Sequence, residues 1–205
     1  MTMRDYGTAA YWDERYAAQD GSNFDWYQDF GTLRPHLLPY LQNHQNFEIL
    51  IPGCGNSRLG AELYDSGFVN LTCIDTSPVV INQMSDRYAD KEEMEFTVMD
   101  VRRMEIPDAC FDLVIDKALF DAQLCGEDNL NFVTEMVAET CRVLKPGGMY
   151  ICVSHGLPST RMAYLQAKGI PWNVDVVEIP KPPLSAYEEQ GASAHHYMYV
   201  CTKRG

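Results

Sequence analysis

Short apolar runs alternate along most of the chain with segments whose apolar positions recur at helical spacing. The runs predict strands near residues 47–51, 70–75, 95–99, 111–116 and 148–154. The segments between them predict helices near residues 58–66, 78–89, 129–143 and 159–168. Such alternation is typical of a parallel sheet that is covered by helices on both faces.

The beginning of the chain is helical. Residues 8–18 and 30–43 are predicted to form helices ahead of the first strand, and Pro35 and Pro39 are expected to break the second of them. The 205 residues, 46% of them hydrophobic, are enough for one well-buried α/β domain and too few for two ordinary ones. We therefore predict that the whole chain is one domain, in which residues 1–44 are a helical extension or lid.

Two strand-like runs with no helix between them, residues 173–179 and 195–202, lie near the other end. They are expected to pair as an antiparallel hairpin at one edge of the sheet. The link between them is rich in proline and small residues, which predicts a long mobile loop and a candidate substrate gate. The predicted fold is an α/β, Rossmann-like, doubly wound sheet of seven strands, mostly parallel with an antiparallel C-terminal hairpin.

A glycine turn follows the first predicted strand. Residues 49–58 read ILIPGCGNSR, so the strand runs directly into Gly53 and Gly55. Glycine lets the backbone turn sharply and approach a ligand closely because it has no Cβ atom. The second strand ends at Asp75, whose carboxylate can accept hydrogen bonds from the two vicinal hydroxyls of a ribose. This combination predicts a nucleoside site.

Two ligands compete for that site. A dinucleotide fold normally shows G-x-G-x-x-G, whereas Arg58 stands here at the third glycine, which argues against NAD. S-adenosylmethionine carries an adenosine but no phosphate, so a shorter glycine turn is sufficient. The third strand runs into Asp100, which can accept from the exocyclic amine of adenine while Met99 and Val101 pack on the ring.

In their order and spacing, these motifs resemble the class I, seven-stranded S-adenosylmethionine-dependent methyltransferases over about residues 45–202. The resemblance is carried by the glycine turn, Asp75, residues 99–101, FDLVID at 111–116 and LKPGG at 144–148. It implies a cofactor-binding core over residues 45–205 and S-adenosylhomocysteine as the product.

Further segments resemble a small branch of that family that includes the lysine methyltransferases of translation elongation factor 1-alpha. They are YWDERY at 11–16, FDWY at 24–27, GCGNS at 53–57 and DKALFD at 116–121. This resemblance implies a protein lysine as the acceptor, an aromatic lid over the cofactor and Lys117 near its rim. The expected cofactor contacts are Trp12, Tyr16, Trp26, Gly53, Gly55, Asp75, Thr76, Asp100, Val101 and Lys117.

The chain departs from the general family at two positions of the glycine turn. Most members carry an acid at the position of Ile51, where it helps to hold the methionine amino group, and a third glycine at the position of Ser57. Another group must therefore hold the amino group here.

Asp116, at the end of the fourth strand, is the candidate for orienting the acceptor amine, with Phe120 and Asp121 behind it. In a doubly wound sheet the strand ends meet at one crevice, which is expected to hold Gly53, Asp75, Asp100 and Asp116. A lysine ammonium has a pKa of about 10.4 and must lose a proton before it attacks the sulfonium methyl. The alternative for Asp116 is structural, as a partner of Lys117 or as a helix cap.

The formal charge of −13 repels phosphate backbones, which disfavours nucleic acid and favours a basic protein surface as partner. The plainer interpretation of this charge is solubility. Seven cysteines without a C-x-x-C pair, among them Cys73, Cys152 and Cys201 in strands, indicate free thiols in a reducing compartment. No apolar run approaches the ~20 residues that span a bilayer, so we expect a cytoplasmic monomer without a membrane partner.

No metal site is predicted, since His195 and His196 are neighbours in a strand and point to opposite faces. Ser154 and His155 follow the fifth strand without an evident partner for a nucleophilic triad. Three alternatives to a protein lysine methyltransferase stay open: a small-molecule methyltransferase, a silent cofactor-binding protein and a nicotinamide oxidoreductase.

Overall fold

The structure is a computed structural model that describes residues 6, 8–19, 21–125, 129–182 and 193–205. Its seven strands form one sheet in the order β3-β2-β1-β4-β5-β7-β6. They are β1 (Ile49–Pro52), β2 (Leu71–Asp75), β3 (Met94–Val98), β4 (Phe111–Lys117), β5 (Leu144–Ser154), β6 (Trp172–Pro180) and β7 (His195–Lys203). Strands β1 to β5 pair in parallel, and β7 runs antiparallel to both β5 and β6. The predicted fold is confirmed, including the C-terminal hairpin.

Helices connect the strands and cover the sheet. They are α1 (Ala9–Ala17), α2 (Phe30–Leu41), α3 (Leu59–Asp65), α4 (Pro78–Arg87), α5 (Leu119–Gln123), α6 (Asn129–Val143) and α7 (Pro158–Leu165). The prediction had no counterpart of α5, which is too short for a periodic signal. None of the described helices is both long and apolar enough to cross a membrane.

The expected break in α2 is wrong, because the helix continues through both Pro35 and Pro39. Its buried side includes Leu33, Leu37 and Leu41, which are spaced four residues apart and pack into the core. Both prolines lie on the exposed side. Burial of this apolar face therefore outweighs the loss of two backbone donors.

The strands are apolar throughout because both faces of the sheet are covered. Ile49 and Ile51 belong to the core beneath α2 and α3, whereas Leu50 between them belongs to the core beneath α6 and α7. All seven cysteines are free, and five of them are buried, including the three singled out in the strands. Of the predicted loop between β6 and β7, residues 183–192 lie outside the described residues.

The chain order creates a crevice at the carboxyl ends of the strands. From β1 the chain builds outward to β2 and β3, and it then returns to add β4 and β5 on the other side of β1. The connections that follow β1 and β4 therefore run toward opposite edges of the sheet. Ligands of doubly wound sheets bind at such a switch in strand order.

Candidate functional site

A cavity of about 420 Å³ occupies this crevice. Its walls come from the ends of β1, β2, β4 and β5, from the loop after β3 and from the segment that precedes α2, called here the N-terminal arm (residues 6–29). Every residue predicted to contact the cofactor lines it: Trp12, Tyr16, Trp26, Gly53, Gly55, Asp75, Thr76, Asp100, Val101 and Lys117. Asp116 is absent from the lining.

The glycine turn needs glycine at two positions. Gly53 and Gly55 have φ angles of +57° and +51°, which disfavour any residue with a side chain. A Cβ atom on Gly55 would lie 2.6 Å from the Tyr16 hydroxyl oxygen, and one on Gly53 would lie 2.9 Å from Leu119. The turn therefore lets the N-terminal arm pack directly against the backbone.

Asp75 is held at the tip of β2 by backbone donors. Its Oδ2 accepts from the Gly55 N–H and its Oδ1 from the Ser77 N–H, each at 3.0 Å. Burial raises the pKa of Asp75, while these N–H groups oppose the shift. Each carboxylate oxygen has a second lone pair, so the group fits a ligand with two adjacent hydroxyls.

Asp100 has a partner that sequence reasoning missed. The Arg102 guanidinium pairs with it in a fork, with Nη2 2.6 Å from Oδ2 and Nε 2.9 Å from Oδ1. Burial raises the pKa of Asp100, but the hydrogen bonds from Arg102 outweigh it and hold the pKa below its ordinary value. Arg102 also lies over the ring of Phe132, 4.1 Å from its centroid.

Aromatic rings of the N-terminal arm form one wall of the cavity. Trp12 and Tyr16 stack on one face of α1 with centroids 5.8 Å apart, and Trp26 meets Trp12 edge-on. The Arg15 guanidinium lies 5.2 to 5.6 Å from the ring centroids of Trp12, Trp26 and Phe24. Cation–π contacts thus hold the aromatic wall together.

An ion pair joins the arm to the sheet. Lys117, at the end of β4, lies 2.9 Å from Asp25 of the arm, and the Ser57 hydroxyl donates to the same carboxylate. Burial lowers the pKa of Lys117, and the charge of Asp25 opposes that shift. The serine that replaces the family's third glycine therefore has a structural task, which is to bind the arm.

Asp116 lies beneath the cavity and is fully buried. It caps α5 by accepting from the N–H groups of Leu119 and Phe120, and it accepts from the Tyr150 hydroxyl at 2.7 Å. Burial raises the pKa of Asp116 to about 7. These contacts match the structural alternative, a helix cap, and its catalytic role stays a prediction.

Asp121, five residues beyond Asp116 and within α5, lines the cavity instead. Its side chain is 4% exposed and collects donors from three other parts of the chain. The Tyr27 hydroxyl donates at 2.9 Å, the Ser154 hydroxyl at 2.6 Å and the Arg161 guanidinium at 2.9 to 3.0 Å. Burial alone would raise the pKa of Asp121, but hydrogen bonds and positive charge hold it at about 2.

Two more polar side chains lie on this part of the wall. His155 brings its Nδ1 to 2.8 Å from Asp121 Oδ2, and its side chain is 55% exposed. Gln123 has a buried Oε1 with no hydrogen-bond partner among the described residues. An unpaired buried acceptor is unfavourable, so the atom fits a ligand that donates an N–H group.

Sequence reasoning placed Asp121 only behind Asp116 and gave no role to Tyr27, Gln123 or His155. The motifs that contain Asp121 and Tyr27 were recognised, but no periodicity links these positions. The absence of an evident triad is corrected in part: His155 does pair with an acid, whereas Ser154 donates to that acid rather than to His155. No nucleophilic serine results.

Comparison with known proteins gives consistent results. A methyltransferase-domain family model matches residues 50–152. The chain is 35% identical to EEF1A lysine methyltransferase 4 of Mus musculus, over 82% of this chain and 69% of that protein. It is 39% identical to the eEF1A lysine and N-terminal methyltransferase of Homo sapiens over 75% of this chain, but it spans only 22% of that protein.

A solved structure shows the same fold at low sequence identity. The N-methyltransferase NodS from Bradyrhizobium japonicum, determined in complex with S-adenosylhomocysteine, superimposes with a TM-score of 0.67 and 16% identity. The match covers 98% of this chain and all of that chain.

Proposed function

Because the chain belongs to the class I S-adenosylmethionine-dependent methyltransferases, we propose that it methylates a lysine side chain of a protein, namely translation elongation factor 1-alpha. The cofactor supplies an electrophilic methyl group. The residues of this chain bind the two reactants, align them and exclude water from the point of transfer.

The cavity has a nucleoside end and an acceptor end. Asp75 and Asp100, above β2 and beyond β3, would bind the ribose hydroxyls and the adenine amine, with Thr76 and Val101 beside them. The acceptor end lies above β4 and β5. Since β2 and β5 are three strand positions apart, the two ends are separated by about 14 Å.

The methionine part of the cofactor would lie between these ends. The Lys117–Asp25 pair stands there in place of the acid that the family carries at the position of Ile51. The Lys117 ammonium can bind the carboxylate of the methionine part, and the Asp25 carboxylate can bind its amino group. Trp12, Tyr16 and Trp26 would cover this region, so the N-terminal arm within residues 1–44 acts as a lid.

One observation carries the choice of acceptor: a buried carboxylate lies on a cavity wall that reaches the surface. Asp121 is ionised at neutral pH, whereas His155 and Cys125 on the same wall are exposed. A long cationic side chain can enter there and approach this negative charge, with the unpaired oxygen of Gln123 nearby. A sealed cavity would instead have favoured a small molecule.

The remaining properties follow from charge and thiol chemistry. A net charge of −13 favours an acceptor with a basic surface and disfavours nucleic acid. The free cysteines fit a reducing compartment. We propose a cytoplasmic protein that acts on a protein partner, and we keep the expectation of a monomer without a membrane partner.

The test is transfer of a labelled methyl group to purified elongation factor 1-alpha, followed by peptide mass spectrometry. We expect methylation of a lysine in the intact factor and none in a factor whose lysines were first acetylated chemically. Calorimetric titration with S-adenosylhomocysteine, with NAD as control, checks the cofactor separately. Label that appears only in the small-molecule fraction of a lysate would contradict the protein acceptor and support the small-molecule alternative.

A further inference from the structure

We infer that His155 is the general base of methyl transfer and that Asp121 orients it. This inference rests on the proposed function, since the proton to be removed belongs to the lysine ammonium of the acceptor. His155 lines the acceptor end of the cavity directly after β5, where the chain leaves the sheet.

The contacts of the ring distinguish its two nitrogens. Nδ1 lies 2.8 Å from Asp121 Oδ2 and 2.8 Å from the Tyr27 hydroxyl oxygen. The backbone N–H of His155 donates to the same Asp121 oxygen at 3.0 Å, which fixes the ring further. Among the described residues none pairs with Nε2.

These contacts assign the tautomer. Asp121 is ionised and can only accept, and Tyr27 uses its one hydroxyl proton to donate to Asp121. The hydrogen of the neutral imidazole therefore lies on Nδ1, and the lone pair lies on Nε2. The same relation of acid to imidazole orients the base in nucleophilic triads.

The imidazole ring of His155 is accessible from both the cavity and the solvent. It belongs to the cavity lining, and 55% of its side chain is exposed. Nε2 takes a proton from the acceptor ammonium, and the lone pair left on the amine forms the new C–N bond. The C–S bond of the sulfonium breaks with its electron pair remaining on sulfur, and the imidazolium then releases its proton to water.

The proton transfer is feasible in this setting. The reference pKa values of lysine and histidine differ by about four units, and burial can lower a lysine pKa by three to five units. Desolvation in the cavity therefore moves the pKa of the acceptor ammonium toward that of an imidazole, and the negative charge of Asp121 opposes part of this shift. The carboxylate of Asp121 lies against the ring, with Oδ2 2.8 Å from Nδ1.

Four other titratable side chains lie near the imidazole ring of His155. Tyr27 of the arm and Asp121 of α5 contact it, and Arg161 of α7 is paired with Asp121. His196 of β7 packs against the ring of Tyr27 with centroids 5.0 Å apart. Burial lowers the pKa of His196 to about 4, so His196 stays neutral where a general base must work.

We expect the fold to tolerate replacement of the His155 side chain. Asp121 retains the Ser154 hydroxyl, the Tyr27 hydroxyl and the Arg161 guanidinium when the imidazole is removed. A variant such as His155→Asn can still donate toward Asp121 but has no second nitrogen. We therefore expect folded variants that bind cofactor and transfer methyl groups slowly.

The test compares methylation of elongation factor 1-alpha by the intact protein and by His155→Asn and His155→Ala from pH 6 to pH 9. A positioned base contributes about 10²- to 10⁴-fold, so we expect kcat to fall at least a hundredfold. S-adenosylhomocysteine affinity should stay within threefold. Added imidazole should restore turnover in His155→Ala, and the pH dependence of kcat should differ between the intact protein and both variants.

His195→Ala is the matched control, because His195 lies on β7 beside Glu178 and outside the cavity lining. Its kinetics should equal those of the intact protein. Unchanged kcat and an unchanged pH profile in the His155 variants would overturn the base assignment and leave the proposed function intact. Cofactor binding without turnover by the intact protein on any lysine would overturn both.

Discussion

The two ends of the cavity are built in different ways. At the nucleoside end Asp75 ends a strand, and backbone N–H groups of adjacent turns hold its carboxylate. At the acceptor end Asp121 is held by side chains of the arm, β5 and α7, namely Tyr27, Ser154 and Arg161. Backbone groups at the strand ends thus build the first end. Side chains from distant parts of the chain build the second. We expect substitutions at the first end to impair binding and those at the second to impair turnover.

The largest expected effect is that of Asp75→Ala on cofactor affinity. The variant loses two charge-assisted hydrogen bonds to the ribose, which together contribute about 3 to 6 kcal/mol. S-adenosylhomocysteine binding should weaken about a thousandfold in calorimetry, while circular dichroism stays native. Asp90→Ala, at an exposed acid, is the control and should bind normally. A loss below tenfold would contradict the role of Asp75 at the nucleoside end.

Asp116→Asn tests whether the acid at the end of β4 takes part in the nucleoside end or the acceptor end of the cavity. Its pKa is raised from 3.8 to about 7 in the folded protein, so folding favours the protonated form. The contribution of Asp116 to the free energy of unfolding should therefore decrease as pH rises from about 4 to about 7, by an amount of the order of 4 kcal/mol. This decrease should be absent in Asp116→Asn.

Urea denaturation of both proteins at pH 4, 5.5, 7 and 8 measures this difference. We expect S-adenosylhomocysteine affinity to be unchanged in the variant. If Asp116→Asn abolished methylation while its stability profile matched that of the wild type, the carboxylate would be catalytic, as the sequence first suggested. The assignment of Asp116 as a buried cap of α5 would then be wrong.

Asp121→Asn should separate binding from turnover. The neutral amide keeps one acceptor oxygen but removes the negative charge that faces the acceptor ammonium and the imidazole. We expect kcat to fall about a hundredfold, or about 3 kcal/mol, and cofactor affinity to stay within threefold. Glu178→Gln, at an exposed acid, is the kinetic control. A parallel loss of cofactor affinity would show that the two ends are not independent.

This contrast also marks how far the sequence could predict the molecule. The strands and the nucleoside residues were predictable because the glycine turn and each terminal acid lie at or directly after the end of their own strand. Tyr27, Asp121 and Arg161 are far apart in sequence, and only folding brings them together. The continuity of α2 was missed for a related reason: packing of its buried leucines, and not local propensity, decides whether it forms.

The smallest expected effect is that of Gln123→Met, and it has two opposing parts. Methionine has a similar length and removes the buried Oε1 that lacks a partner among the described residues. Removal of an unsatisfied buried acceptor should raise the free energy of unfolding by about 1 kcal/mol. If that oxygen binds the acceptor amine, KM for elongation factor 1-alpha should rise about fivefold, with kcat and cofactor affinity unchanged.

Thermal denaturation and steady-state kinetics together measure these two parts, with Gln166→Met at the exposed end of α7 as the control. A more stable variant with a higher KM would mean that the chain keeps an unfavourable polar atom because the acceptor needs it. A more stable variant with an unchanged KM would remove Gln123 from the acceptor end. Recognition there would then depend on Asp121 and the groups that hold it.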